Sequence, residues 1–317
     1  MAKEMHPHKI IPTTIIAGFL GAGKTTLLNR MLNDDHGLKF AVMVNDFGAI
    51  NIDSQLIVSL EDDVLSLKNG CICCTVQNDL IEQLEKLLSR QKDNAPDYII
   101  IEASGVSDPE KIAHTLRSPQ FNNRANVDAI ITLLDCANVN HMADDVKDVA
   151  VSQLHGADII LLSKCDLVSE GEIKKIKETW IPPNSRVIES QFGDVALKLL
   201  LGINQFNPDN LLTKTQTHNH GDQFSTWHWQ SGGLLNLGRL RAAFESLPAN
   251  IYRAKGIFNI EELPTHQCIV QMVGKRIEFS QGPEWGETST SNQVVIIAYG
   301  DNIAIKELEA IFSKTKA

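Results

Sequence analysis

The sequence predicts an α/β fold, a parallel sheet covered by helices on both faces, followed by a second, smaller α+β domain. Three observations carry this expectation. Through the first two-thirds of the chain, short apolar runs alternate with helical patterns. One of those runs passes through a glycine-rich turn, Gly18-Phe19-Leu20-Gly21-Ala22-Gly23-Lys24-Thr25, directly into a helix. Near residues 205–223 the alternation stops, and strands with two helices follow it.

Thr13–Ala17, Phe40–Val44, Tyr98–Ile101, Val127–Leu134 and Ile159–Leu162 are continuous apolar runs, the signature of strands buried on both faces. Leu27, Leu28, Met31 and Leu32 keep one helical face after the glycine turn, and Leu80, Ile81, Leu84, Leu87 and Leu88 repeat the helical spacing. Strands separated by helices make parallel sheets, and ligands then gather at the C-terminal strand ends. The segment from Asn204 to Gln223 is polar and holds Pro208, His218 and His220, which marks a linker. The expected partition is therefore 1–204, a linker at 205–223, and 224–317. In the last part, Phe224–Gln230, Ile251–Phe258, Gln267–Val273 and Gln293–Tyr299 read as strands of an antiparallel sheet, with Leu235–Leu247 and Ile303–Phe312 as its helices.

Composition narrows the function classes. With 317 residues the chain is about twice a typical domain. A net charge of −10 argues against a nucleic-acid binder, which would normally be basic. No apolar run reaches the length that spans a membrane. Lys3 and Lys9 precede an apolar run, but that run leads into the glycine turn with no cleavage-like site, so a signal peptide is not expected. Three of the six cysteines fall within four positions, the distribution of a metal or redox site in a reducing, cytoplasmic compartment.

The glycine turn matches G-x-x-x-x-G-K-[ST], the loop of P-loop NTPases. Without Cβ atoms in the way, backbone N–H groups can close on phosphate oxygens, and the helix N-terminus adds partial positive charge. Gly18, Gly21, Ala22, Gly23 and Thr26 belong to this cradle. Lys24 is placed to reach the β- and γ-phosphates, and the Thr25 hydroxyl suits Mg²⁺. Downstream, Ser163-Lys164-Cys165-Asp166 ends an apolar strand. A carboxylate at Asp166 can accept from N1–H and the exocyclic amine of guanine, whereas adenine would leave it unpaired. The Lys164 stem can lie on the purine face, so GTP is the expected nucleotide. Between the two motifs, Glu102 ends a strand where it can orient Mg²⁺, and the Gly105 amide can meet the γ-phosphate. Asp46, in Asn45-Asp46-Phe47-Gly48, is the other candidate for touching Mg²⁺ or positioning water; a plain turn explains it equally well.

Asn69-Gly70-Cys71-Ile72-Cys73-Cys74-Thr75 is the least expected element. Thiolates at Cys71, Cys73 and Cys74 prefer soft or borderline ions such as Zn²⁺ or Cu(I), and leave one tetrahedral position open, which suits a metal that is passed on. Small buried hydrophobes or a redox thiol set are the other readings. His218, His220 and His228 could collect metal weakly, His6 and His8 less so, while Cys136, Cys165 and Cys268 read as ordinary core or strand-end residues.

The order GFLGAGKTT, NGCICCT, EASG, SKCD resembles the CobW-type metal-centre GTPases. Arg253-Ala254-Lys255-Gly256 is similar to the R-x-K-G strand of their C-terminal domain, and Pro283-Glu284-Trp285-Gly286 to its late Trp-Gly element. The resemblance implies a GTPase metallochaperone, with Gly21 to Thr26 on phosphates, Thr25 and Glu102 on Mg²⁺, Lys164 and Asp166 on guanine, and Cys71, Cys73 and Cys74 on transferred zinc. Family diversity leaves cobalt and iron as alternative metals, and the implied partner is a client metalloprotein. Two departures stand out. Ser163 replaces a frequent asparagine, and its shorter side chain is expected to brace the base loop less. Val44 and Ala49 stand where some relatives carry glutamates, so a glutamate-supported surface site is not expected.

Slow intrinsic turnover is expected, because no residue is an evident arginine finger. Two readings from other classes compete: a nucleotide-dependent kinase or ligase acting on a small substrate, and a metal-storage or redox-sensing module. The sequence is silent on the client and the oligomeric state.

Overall fold

The computed structural model describes residues 10–34, 37–44, 64–66, 75–90, 95–121, 124–202, 224–286, 290–300 and 304–317. Two compact units divide the chain: Met1–Pro182 with Val187–Asp194, and Pro183–Arg186 with Val195–Ala317. Asp46, the cysteine segment with Cys71, Cys73 and Cys74, His6, His8, His218, His220 and the expected linker lie outside the described residues.

In the first unit the described elements run β1 (Ile11–Gly18), α1 (Lys24–Asn33), β2 (Phe40–Val44), β3 (Val64–Ser66), α2 (Thr75–Leu88), β4 (Tyr98–Glu102), α3 (Pro109–Leu116), β5 (Ala125–Asp135), α4 (Asp144–His155), β6 (Ile159–Ser163), α5 (Glu170–Trp180) and all but the first residue of β7 (Arg186–Glu189). The strands form one sheet in the order β3-β2-β4-β1-β5-β6-β7. Each neighbouring pair from β3 to β6 is parallel. Every residue of β2 and β4 is buried, which is why their sequences are unbroken apolar runs. Leu80, Leu84 and Leu87 of α2 and Ile112, Ala113 and Leu116 of α3 pack on Ile99, Ile101 and Ile15 in one cluster. A second cluster joins Leu134, Ile160 and Leu162 to Leu154 of α4 and Ile173 and Ile176 of α5. Helix starts follow local chemistry. Asp108 caps α3 ahead of Pro109, and Ser169 with Glu172 forms a capping box at α5.

A polar link crosses this core. The Tyr98 hydroxyl donates to Asp128 Oδ2 at 2.5 Å and lies 2.7 Å from Thr14 Oγ1, joining β4, β5 and β1. Because β1 is pinned between β4 and β5, the turn after Gly18 emerges between the ends of those two strands.

The second unit contains α6 (Leu197–Leu200), β8 (Phe224–Ser231), α7 (Leu237–Glu245), β9 (Ile251–Phe258), β10 (His266–Val273), β11 (Arg276–Glu284), β12 (Asn292–Tyr299) and α8 (Ile305–Ser313). Its sheet has the order β11-β10-β9-β12-β8, with every pairing antiparallel. Leu240 and Phe244 of α7 and Leu308 and Phe312 of α8 cover one face over Ala254, Phe258, Val270 and Ile296. The expected two-helix, antiparallel α+β arrangement is thus realised, with β11 as an added strand. That strand escaped the sequence reading because it sits at the sheet edge, is largely exposed and contains Gly282 and Pro283. An edge position tolerates such residues because one side of the strand has no ladder to complete. β3 and β7 escaped it because three or four residues are too short to show a period.

Candidate nucleotide site at the C-terminal edge of the parallel sheet

The turn between β1 and α1 is built by three glycines with positive φ: Gly18 at 137°, Gly21 at 74° and Gly23 at 95°. At Gly18 a Cβ would also stand 2.5 Å from the Leu133 carbonyl oxygen, so side chain and backbone both exclude substitution there. Gly23 is the N-cap of α1 and no side chain caps the helix, leaving its first-turn amides to the loop interior. Lys24 curls back over this loop. Its ammonium donates to the Gly18 carbonyl at 3.0 Å and the Phe19 carbonyl at 3.3 Å, and the residue is only 8% exposed.

A cavity of about 240 Å³ opens here, lined among others by Gly21, Lys24, Thr25, Glu102, Ser104 and Gly105. The Thr25 hydroxyl donates to Glu102 Oε1 at 3.0 Å, and Glu102, at the end of β4, is 2% exposed. A buried carboxylate beside a hydroxyl is an all-oxygen donor set that fits a hard divalent cation such as Mg²⁺. Ser104 Oγ, on the same wall, is buried and has no hydrogen-bond partner among the described residues. At Gly105 a Cβ would lie 2.6 Å from Leu20 Cδ2 and 2.8 Å from its backbone nitrogen, so only glycine lets the two loops approach.

Beside the cavity, the end of β6 carries the second motif. Lys164 adopts the left-handed conformation with φ 57°, an uncommon choice for a residue with a Cβ. Its ammonium pairs with Asp135 Oδ2 at 2.6 Å. Asp135 is held in turn by the backbone amides of Ala137 (3.0 Å) and Asn138 (3.2 Å) and by Asn138 Nδ2 (2.8 Å). Asp166 is exposed, one residue beyond Cys165. The Ser163 hydroxyl donates to the Ala22 carbonyl at 2.7 Å, joining this loop to the glycine turn. The side chain expected to brace less, being shorter than asparagine, does reach the turn.

Residues 12–186 match the CobW/HypB/UreG nucleotide-binding domain, and residues 224–316 match the cobalamin synthesis protein cobW C-terminal domain. The chain belongs to the CobW family. It is 29% identical to the zinc chaperone CobW of Sinorhizobium sp over 92% of this chain and 93% of that protein. It is 31% identical to the zinc chaperone YjiA of Escherichia coli (strain K12) over 96% of this chain and 98% of that one. With the zinc-regulated GTPase metalloprotein activator 1 of Dictyostelium discoideum it shares 35% identity across 65% of this chain and 52% of the relative.

Of the residues singled out from sequence in this CobW-family chain, the structure gathers Gly21, Gly23, Lys24, Thr25, Thr26, Glu102 and Gly105 around one cavity. Gly18 and Ala22 lie in the same turn, and Ser163, Lys164 and Asp166 lie on the loop tied to it. His228 sits on β8 opposite Val295, at an exposed position of that strand. Among the described residues no three metal-binding side chains cluster. No described helix is long and apolar enough to cross a membrane.

Three contributors were missed. Asp135, one residue past the apolar run Val127–Leu134, was not singled out. Gln153 of α4, 1% exposed, donates to the carbonyls of Gly105 (3.2 Å) and Ser107 (2.8 Å) and so fixes the loop after β4. Its backbone carbonyl accepts from Thr132 Oγ1 at 3.0 Å. The turn at 190–194 approaches α1, where a Cβ on Gly193 would come within 3.2 Å of Leu27 Cα, and Arg30 pairs with Asp194 at 2.5 Å. The strand-end carboxylate was a usable signal for Asp135; a helix glutamine and a short polar turn offer none.

Proposed function

We propose that this chain is a GTP-hydrolysing metallochaperone that binds zinc at Cys71, Cys73 and Cys74 and delivers it to a client metalloprotein. One observation carries the nucleotide half: the Lys24 loop, the Thr25–Glu102 pair and the Lys164–Asp166 corner converge on the C-terminal edge of one parallel sheet. The names of the relatives, zinc chaperones and a zinc-regulated GTPase, support the metal half.

In this reading Gly18 to Thr26 cradle the phosphates through backbone amides, and Lys24 swings from its carbonyls to the β- and γ-phosphates. Thr25 and Glu102 would hold Mg²⁺, which when bound neutralises charge on the phosphate oxygens. The Gly105 amide faces the γ-phosphate, and Asp46 orients water or reaches the cation's shell. Lys164 covers the purine while Asp166 accepts from the guanine edge, and Ser163 holds that loop against the phosphate turn. The GTPase domain spans 1–204, a linker 205–223, and the C-terminal domain 224–317. Thiolates that must stay reduced fit the cytoplasm.

The described chain enters the cysteine segment from β3, whose last residue Ser66 lies in register with Val44, itself in register with Glu102. Two strand spacings, about 10 Å, therefore separate Ser66 from the Glu102 row at the phosphate edge. Nucleotide state would thereby bias the thiolates, and metal would bias nucleotide affinity by the same factor. Zinc titration with and without a non-hydrolysable GTP analogue tests this. A shifted zinc affinity supports the coupling; equal affinities remove it.

A further inference from the structure

Cys136 and Cys165 follow, by one residue each, the two members of the Asp135–Lys164 ion pair. Their sulfurs are 3.9 Å apart and both residues are buried, at 3% and 7% exposure. The Cys136 amide donates to the Ser163 carbonyl at 3.0 Å, so the two loops leave the sheet side by side. Asp135 and Ser163 are the last paired residues of β5 and β6, so both cysteines sit just beyond the ends of neighbouring strands. All three described cysteines are free thiols, and Cys268 lies in the other unit.

We propose that Cys136 and Cys165 form a reversible disulfide under hydroperoxide, and that this bond disables the nucleotide-base loop. The consequence for the loop rests on the assignment of Lys164 and Asp166 to the base; formation of the bond does not.

The two sulfurs have unequal roles. The Cys165 thiol donates to the Leu162 carbonyl at 3.2 Å, which leaves its sulfur to accept from Cys136; that contact lowers the pKa of Cys165 and raises that of Cys136, and a hydrogen bond from the Ser190 backbone also lowers Cys165. Cys165 is the proposed nucleophile, because it adjoins exposed Asp166 and Leu167, the side from which a small oxidant would approach. Its thiolate attacks one peroxide oxygen and breaks the O–O bond, giving a sulfenic acid and hydroxide. The Cys136 sulfur then attacks the Cys165 sulfur and the S–O bond breaks. The departing hydroxide takes the Cys136 proton, and the first hydroxide takes up the proton originally on Cys165. Two thiols and one peroxide become one disulfide and two waters, with two electrons passing from sulfur to oxygen.

Closing the sulfurs from 3.9 Å to about 2.05 Å draws together the two loops that carry them in the proposed switch. Lys164 and Asp166 flank Cys165, and Lys164 is held in a left-handed turn with little freedom to absorb the change. Both side chains would leave their positions together.

The test treats the full-length Cys71→Ser/Cys73→Ser/Cys74→Ser chain with hydrogen peroxide, maps disulfides by mass spectrometry, and measures GDP affinity before and after and again after dithiothreitol. The expected result is a Cys136–Cys165 cross-linked peptide. GDP affinity should fall by about tenfold, the worth of one charged hydrogen bond, and recover on reduction. Adding Cys136→Ala to the same background should leave GDP affinity insensitive to brief peroxide exposure followed by catalase. Absence of the cross-link, an ion bound by the pair in native mass spectrometry, or a cross-link that leaves GDP affinity unchanged would each overturn the proposal. A cross-link in a chain that binds no guanine nucleotide even when reduced would overturn the base-site assignment and the switch built on it, but not the disulfide.

Discussion

The Ser163 hydroxyl donates a 2.7 Å hydrogen bond to the Ala22 carbonyl, across 141 residues of sequence. This contact locks the loop proposed to read the base onto the loop proposed to hold the phosphates. One nucleotide would then meet both loops in a fixed relation. Ser163→Ala should weaken GDP binding by roughly 2- to 10-fold, since a single neutral hydrogen bond contributes about 0.5–1.5 kcal/mol. Isothermal titration of both proteins checks this; unchanged affinity would show that the bond positions nothing.

Lys24 is parked on the Gly18 and Phe19 carbonyls, ready to exchange them for phosphate oxygens. Lys24→Ala should lower GTP hydrolysis by about 100-fold or more, the typical cost of removing a preorganised charge at a transferring group. Phosphate release measures the rate, and a thermal melt without nucleotide verifies the fold. Hydrolysis at the wild-type rate would mean the turn is not a phosphate site.

Asp166 is exposed, so its replacement should spare the fold. An asparagine there presents an amide donor where guanine offers an amine, and a carbonyl at that ring position suits it better. Asp166→Asn should shift preference from GTP toward xanthosine triphosphate by roughly 100-fold in the affinity ratio. Competition binding with the two nucleotides reads this directly. A retained guanine preference would move base recognition elsewhere.

Gln153 holds the Gly105 and Ser107 carbonyls from the neighbouring helix. Gln153→Leu leaves both acceptors without this donor and should cost about 1–3 kcal/mol of stability. Hydrolysis should fall more than GDP affinity, because the loop it fixes faces the γ-phosphate end in the proposed mode. Denaturant melts and single-turnover kinetics separate the two effects. An equal loss in both would assign Gln153 a purely structural part.

Burial pushes the Cys268 thiol up to about 11 from its ordinary 9.0, with nearby Glu262 adding a smaller push. The folded state therefore keeps its proton after the unfolded chain has lost it. The stability this contributes is complete below pH 9.0 and is lost as pH rises through about 11. Between those limits the wild type should lose roughly 2–3 kcal/mol that Cys268→Ala does not lose. Urea melts at several alkaline pH values give the difference; parallel curves would show that the thiol is not insulated.

Much of the first domain was legible because parallel strands buried on both faces must be continuous apolar runs. Phe40–Val44 coincides with the parallel strand β2. The phosphate turn was legible because positive φ at Gly18, Gly21 and Gly23 requires glycine, and glycine spacing survives in the sequence. β11 was hard to read because its apolar alternation stops after Ile277 and Phe279, and Gly282 and Pro283 break the rest of this largely exposed edge strand.

By itself the sequence determined the long buried strands and the glycine turn, and it nominated side chains for phosphate, guanine and a soft metal, because local periodicity and residue chemistry are written position by position. Only the tertiary structure decided that Lys164 meets Asp135, that Ser163 meets Ala22, that Gln153 grips the loop at Gly105, and that Cys136 touches Cys165. The order of strands in the sheet sets which distant ends become neighbours. That order follows from packing whole elements together, so no single stretch of residues records it.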